Sequence, residues 1–308
     1  MSISPSIRTI LIHGKSVEDE ALDGIRKVFQ VLQEEGVELA VTEPFAGLLA
    51  ESGLWTATTP APSGPFDLVL CLGGDGTVLE TASLSEARNV PVLGINTGRL
   101  GFLSHLPLAG GDEALRRILA GEYVVESRNM LEVVYPGKTF EHGGCALNEV
   151  TVHRRDVASM IRISVHREGT FVNRYWADGL IVSTATGSTA YSLSCGGPIV
   201  HPASNAIVLN PIAPHNLNDR PLVIPADGVL DIQAEGRDDH LMLTMDTRSH
   251  KVPAPSRFQV RRAERPFLLV QLPGVDFIET VRRKLHLGLD GREGISSPGT
   301  HDSGIDDR

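Results

Sequence analysis

Up to about Tyr123 the chain alternates short apolar runs with stretches of helical period. "TILIHG", "VELAVTEP", "DLVLCLGG" and "VPVLGIN" read as strands. Between the first two, Leu22, Ile25, Val28, Phe29 and Leu32 recur on one helical face, which predicts an amphipathic helix packed on a core. Another helix is predicted from about Val78, and a last one over "GDEALRRILAGEY", ended by Gly121. Strands and helices in alternation predict a largely parallel sheet covered by helices. Beyond this point the helical period gives way to short runs rich in β-branched residues, among them "MLEVVYPGKTF", "SMIRISVHREGTFVNRYWADGLIVST" and "HLMLTMDTRSHKVP", with "YPGK" and "REGT" as hairpin turns. The expected architecture is an α/β N-terminal domain over 1–126 with a largely parallel sheet, followed by a mainly β, sandwich-like domain over 127–274. An amphipathic helix over 275–289 is expected to pack back on the first domain, and the Gly-, Ser- and Asp-rich 290–308 reads as a disordered tail.

Composition narrows the classes. Lys plus Arg at 28 against Asp plus Glu at 38 gives a net charge of −10, which argues against a general nucleic-acid binder. No apolar run approaches the roughly 20 residues of a membrane span, and "MSISPSIRTILIHG" lacks the layout of a secretory signal, so a soluble cytoplasmic protein is expected. Cys71, Cys145 and Cys195 lie far apart without metal-type spacing and read as reduced thiols.

The chemistry concentrates where a strand runs into "GGDGT", Gly73 to Thr77. Ligands of a parallel sheet bind beyond the carboxyl ends of its strands, and glycines there let backbone N–H groups approach a phosphate. No Gly-Lys-Ser/Thr follows, so this is not a P-loop. A carboxylate set among phosphates needs a cation or a substrate hydroxyl to face, which makes Asp75 a candidate phosphoryl-transfer residue. The competing reading is a tight turn in which Asp75 caps the next helix. Two other stretches bear on the choice. "YWADGLIVSTATGSTAYSLSCGGPIVHP" packs small polar residues between strands, as a binding loop does. In "ALNEVTV", Asn148 and Glu149 are adjacent, so they share a pocket only if the strand ends or bends there; otherwise the pair is an edge feature. His13, His153, His201 and His215 have no carboxylate at telling spacing and read as surface or packing residues, and "HRRD", His153 to Asp156, reads as a basic turn between strands, with contact to donor phosphates as the alternative.

Taken together, "GGDGT", "GINTGRLGFLS", "LNEVTV", "DGLIVSTATGSTAYSLSCGGPIVHP" and "PHNLNDRPLVIP" resemble, in order and spacing, the bacterial-type NAD kinases. "GGDGT" alone is shared with lipid and sugar kinases; the long motif makes the resemblance specific. It implies phosphorylation of the 2′-hydroxyl of the adenosine ribose of NAD to form NADP, with ATP or another donor such as polyphosphate and a divalent cation, Mg²⁺ being expected. Asp75 takes the catalytic role, with Gly76 beside it. Asn148 and Glu149 match the pair that holds the adenine and ribose end. Asp178 matches an aspartate near the nicotinamide side, Thr189, Ala190 and Tyr191 with Ser192, Leu193 and Ser194 match the turn that wraps the adenine, and Ala213 matches another lining position. Homodimers or tetramers are implied as well, with neither nucleic acid nor membrane as partner. Three positions depart from the family pattern. Asp246-Thr247-Arg248 stands where Asp-Gly-Gln or Asp-Ser-Gln is frequent, which leaves Arg248 either a phosphate contact or a solvated arginine. Trp176 replaces a basic residue, and Ala185 a proline. A lipid or sugar kinase and a dinucleotide sensor without turnover are the rival readings.

Overall fold

The computed structural model describes residues 7–55, 65–84, 89–98, 101–137, 140, 144–155 and 159–288. The expected tail over 290–308 therefore lies outside the described residues, as do most of the Pro/Ser/Thr-rich loop after Trp55 and Lys138 of "YPGK".

The first sheet begins with β1 (Thr9–Gly14), β2 (Glu38–Val41), β3 (Leu68–Leu72), β4 (Val92–Asn96) and the short β5 (Leu106–Pro107), and it also holds β6 (Val124–Arg128). β1 to β5 pair in parallel, in the order β2-β1-β3-β4 with β5 on β4. Four helices accompany them: α1 (Leu22–Glu34), α2 (Glu43–Glu51), α3 (Asp75–Thr81) and α4 (Asp112–Leu119). Alternation along each strand sorts the two faces. Ile10, Ile12 and Leu70 pack with Ile25 and Leu32 of α1, Phe45 of α2 and Ile118 of α4. Leu11, Val69 and Cys71 face the other way and share a core with Val78 of α3.

The β-rich part contains twelve strands among the described residues: β7 (Leu131–Val134), β8 (Cys145–Ala146), β9 (Glu149–Arg154), β10 (Ile161–Arg167), β11 (Thr170–Ala177), β12 (Gly179–Thr184), β13 (Ala206–Ile212), β14 (Leu222–Pro225), β15 (Val229–Glu235), β16 (His240–Met245), β17 (Arg248–Pro253) and β18 (Ser256–Arg262). They form two six-stranded antiparallel sheets, β11-β10-β15-β18-β7-β8 and β14-β13-β12-β9-β16-β17. Val150, Val152 and Leu180 from one sheet meet Ile163, Ile232 and Val260 from the other in a single core, a sandwich. "REGT" is the hairpin turn between β10 and β11, with Glu168 and Gly169 both at positive φ (48° and 76°).

β19 (Phe267–Gln271) differs from the expectation. Its alternation suits a sandwich strand, yet it pairs with β4 in parallel and with β6 antiparallel, so the chain returns to the first sheet after the sandwich. Ser127, placed in the β-rich domain by sequence, lies inside β6 of that same sheet. The described residues from 275 to 288 belong to a separate compact unit. In it, α6 (Phe277–Leu285) starts with the Asp276 carboxylate accepting from the Glu279 N–H at 2.9 Å and ends at His286 in the left-handed region. Among the described residues no helix is long and apolar enough to cross a membrane.

Candidate active site

β3 is buried along its whole length and delivers Gly73 and Gly74 at its carboxyl end. The helix that follows starts at Asp75, three residues earlier than its apolar pattern suggests. No side-chain cap bond forms at its start, so the capping reading of Asp75 does not hold. The carboxylate reaches instead to the loop beyond β4, where Oδ2 accepts the Phe102 N–H at 2.7 Å and Oδ1 accepts those of Leu103 and Ser104 at 2.9 and 3.1 Å. That grip requires glycine at 101, since a Cβ there would stand 1.9 Å from Asp75 Oδ1. Among the described residues, a Cβ at Gly74 or Gly76 would meet nothing within 4 Å beyond its chain neighbours and its own helix. Open space at both positions leaves the turn accessible to an outside group. Beside the turn, β1 and β3 pair with Gly14 opposite Leu72, which brings Lys15 and His13 to the same end of the sheet. Lys15 is ion-paired with Glu80, and burial lowers the pKa of His13 more than Glu80 raises it. His105, which the sequence did not single out, also lies in this region; burial lowers its pKa against the opposing pull of the Asp75 charge.

The second constellation is in the sandwich. β8 ends at Ala146 in one sheet and β9 begins at Glu149 in the other, so the strand pattern breaks at Leu147 and Asn148, just before Glu149; Asn148 and Glu149 are both buried. The pair is no edge feature, because β9 runs between β12 and β16. Among the described residues Glu149 Oε2 has no hydrogen-bond partner, although it is buried. Burial first, and then the charge of Asp246, push the Glu149 carboxyl up to about 8, against the backbone N–H of Tyr191. A cavity of about 400 Å³ opens here, with Glu149, Asp178, Tyr191, Arg154, Thr244 and Asp246 on its wall. Asp178, in the corner between β11 and β12, accepts from Arg154 Nη2 at 2.8 Å.

The other predicted residues lie off this wall but on the segments that make it. Asn148 precedes Glu149; Thr189, Ala190, Ser192, Leu193 and Ser194 flank Tyr191; Ala213, at φ 44°, follows Ile212; Arg248 lies between Asp246 and Ser249. Ser192 is fully buried and faces inward, where Asn210 Nδ2 donates to its carbonyl at 2.8 Å and its hydroxyl at 3.2 Å. Arg248 is no solvated arginine, because its Nη2 donates to the Cys145 carbonyl. Trp176 is half exposed on β11. Asp75 and Gly76 are not on the cavity wall, but Val78 of α3, Leu103 of the gripping loop and Leu147 beside Asn148 share one apolar core. A larger cavity of about 470 Å³, lined by Met130, Glu132, Arg261 and Arg265 among others, contains none of the predicted residues.

Sequence reasoning missed Asn210, Thr184 and the way Asp246 acts. Asn210 had a signal, a lone amide in the apolar "IVLNPI". Among the described residues no group of three or more His, Cys, Asp or Glu is arranged to hold a metal ion.

Comparison with known proteins gives the same outline. Residues 10–123 match the ATP-NAD kinase N-terminal domain and residues 147–272 the ATP-NAD kinase C-terminal domain. An NAD kinase of Cytophaga hutchinsonii is 36% identical over 287 residues, covering 91% of this chain and 98% of its own. One of Flavobacterium johnsoniae is 38% identical over 291 residues, covering 92% and 99%. Among solved structures, an NAD kinase from Archaeoglobus fulgidus in complex with ATP aligns with a TM-score of 0.72 at 25% identity, over 90% of this chain and 98% of that one. Yeast NADH kinase complexed with NADH shares the fold, with a TM-score of 0.81 at 23% identity over 93% and 89%. The two domain matches run in order through the glycine turn and the Asn148–Glu149 corner, and the relatives span nearly the whole chain, so this protein belongs to the NAD kinase family.

Proposed function

We propose that this protein transfers the γ-phosphoryl group of ATP to the 2′-hydroxyl of the adenosine ribose of NAD, forming NADP and ADP. The observation that carries the reading is the Asp75 carboxylate, held by three backbone N–H groups in a glycine turn whose Gly74 and Gly76 face open space. Phosphoryl transfer through a loose transition state asks mainly for positioning and charge neutralisation. The three amides fix the direction of the carboxylate, and Asp75 orients the 2′-hydroxyl in line with the γ-phosphorus. As the new O–P bond forms and the bond to ADP breaks, the hydroxyl proton passes to Asp75. The sandwich cavity takes the nucleoside of NAD, with Glu149, Asp178 and Tyr191 on its wall. A divalent cation such as Mg²⁺, bound with the donor phosphates beside the glycine turn, would neutralise their charge, with Asp75 as the nearby carboxylate. A homo-oligomer in the cytoplasm fits this reading, as does polyphosphate as an alternative donor.

The test is NADP formation from NAD, ATP and Mg²⁺, read by an NADP-specific dehydrogenase, for wild type and Asp75→Asn. Wild type forms NADP; the variant binds NAD but loses most of its turnover, on the order of a hundredfold or more. Turnover by the variant at the wild-type rate would remove Asp75 from the chemistry. No NADP from wild type with either donor would overturn the reading.

A further inference from the structure

The turn between β16 and β17 grips the chain that carries the Asn148–Glu149 corner. Asp246 sits at its tip with φ 50°. Its Oδ2 accepts the Leu147 N–H at 2.7 Å, and its Oδ1 accepts those of Asn148 and Glu149 at 2.8 and 3.1 Å. In return the Asp246 N–H donates to the Glu149 carbonyl at 3.0 Å. Two residues on, Arg248 holds the Cys145 carbonyl, so the turn grips the segment from 145 to 149 at both ends. The opposite side is closed by β12 and the turn after it. Thr184 Oγ1 donates to the Leu147 carbonyl at 2.7 Å, its N–H donates to that of Asn148 at 2.8 Å, and a Cβ on Gly187 would stand 2.2 Å from the Asn148 oxygen. A break in a strand leaves backbone N–H groups without ladder partners, and three of them in succession are satisfied here by one carboxylate.

We propose that Asp246 and Arg248 are positioning residues, which fix the Asn148–Glu149 corner in the conformation that receives the ribose of NAD. The inference rests on the reaction assigned above. It also assigns the charge in the corner. Burial raises the pKa of Asp246 as well, but its three N–H donors and Arg248 pull the other way, so Asp246 takes the negative charge. Glu149, whose buried Oε2 meets no donor among the described residues, keeps its proton and presents an O–H to the ligand. The groups facing Glu149 are Asp246 from the turn, Tyr191 and Cys195 from the segment at 191–195, and Asp178 with Arg154 across the cavity; His153 and Arg155 share the wall.

The experiment measures kcat/KM for NAD against pH, KM for ATP, and NAD binding by calorimetry for wild type, Asp246→Asn and Arg248→Gln. In Asp246→Asn, kcat/KM for NAD falls by about tenfold or more and KM for ATP holds, since only the NAD corner loosens. Loss of the Asp246 charge also removes one cause of the raised Glu149 pKa. The alkaline limb of the profile therefore lies at lower pH in the variant than in wild type. Arg248→Gln loosens the same segment from its other end, lowers kcat/KM for NAD in the same way, and decides the matter if Asp246→Asn fails to fold. Folded variants with the wild-type kcat/KM for NAD and an unmoved alkaline limb would overturn the inference while leaving the reaction standing. A wild type that neither binds NAD nor forms NADP would overturn both.

Discussion

At the scale of single residues, two aspartates do similar work with different consequences. Asp75 and Asp246 each accept three consecutive backbone N–H groups, one from the loop after β4 and one from the break before β9. "GGDGT" announces Asp75, because small residues after an apolar strand are unusual without a ligand. Nothing local announces Asp246, whose acceptor role depends on a segment about a hundred positions away. Gly101 gives a test of the first grip. Gly101→Ala puts a Cβ 1.9 Å from Asp75 Oδ1 and displaces either the loop or the carboxylate. Turnover is expected to fall about a hundredfold, since misplacement near 1 Å at a reacting group costs that much, with NAD affinity less affected. Steady-state kinetics with a binding titration checks it, and an unchanged kcat would show that the loop does not aim Asp75. Among the thiols, Cys71 is fully buried and its pKa is pushed up to about 12 by that burial. Alkylation of the native protein at pH 8 should spare Cys71 and react at the half-buried Cys145 and Cys195; modification of Cys71 before unfolding would contradict this packing.

At the scale of elements, periodicity served well where one face is buried and less well at boundaries. α1 buries Ile25, Val28 and Leu32 as its pattern requires, with Phe29 half-buried on the same core. α3 begins before its apolar stripe because a helix start is set by backbone bonds and not by hydrophobicity; the Thr77 and Val78 N–H groups both donate to the Gly74 carbonyl. The single turn α5 (Tyr191–Ser194) is too short to hold itself. Asn210 ties it down through the carbonyl and hydroxyl of Ser192. Asn210→Ala removes the amide donor from the buried Ser192 hydroxyl and carbonyl, although the carbonyl keeps the Gly197 N–H at 2.9 Å, and should cost about 1 kcal/mol. Urea unfolding checks this as a shift in midpoint at constant slope. A shift below a few tenths of a kcal/mol would mean that α5 is held without the Asn210 amide, by packing and its own backbone hydrogen bonds.

At the scale of the whole molecule, the raised Glu149 carboxyl links folding to pH. Its pKa moves from 4.5 to about 8 on folding, so between these values the native state holds a proton that the unfolded chain releases. Its contribution is therefore full below about 4.5 and is lost as pH rises through 8. Glu149→Gln removes that loss. The Tm of the variant minus that of wild type should grow from pH 5 to pH 8, by a few degrees for a chain of this size. A difference that is flat with pH would show that Glu149 is ionised throughout.

By itself the sequence determined the two architectures and singled out the glycine turn and the small-residue loop as candidate places for the chemistry. Apolar alternation and helical period are local consequences of which face is buried, and the glycine turn and the small-residue loop are local departures from that rule. Tertiary structure decided the rest. β19 pairs with β4 because the chain returns to an open sheet edge, a choice that its own residues leave free. Asp75 grips the loop after β4 instead of capping its helix, and Asp246 grips the Asn148–Glu149 corner, because a carboxylate takes the N–H donors that the fold brings within about 3 Å. Which donors those are depends on contacts between distant segments, and no local pattern of residues encodes them.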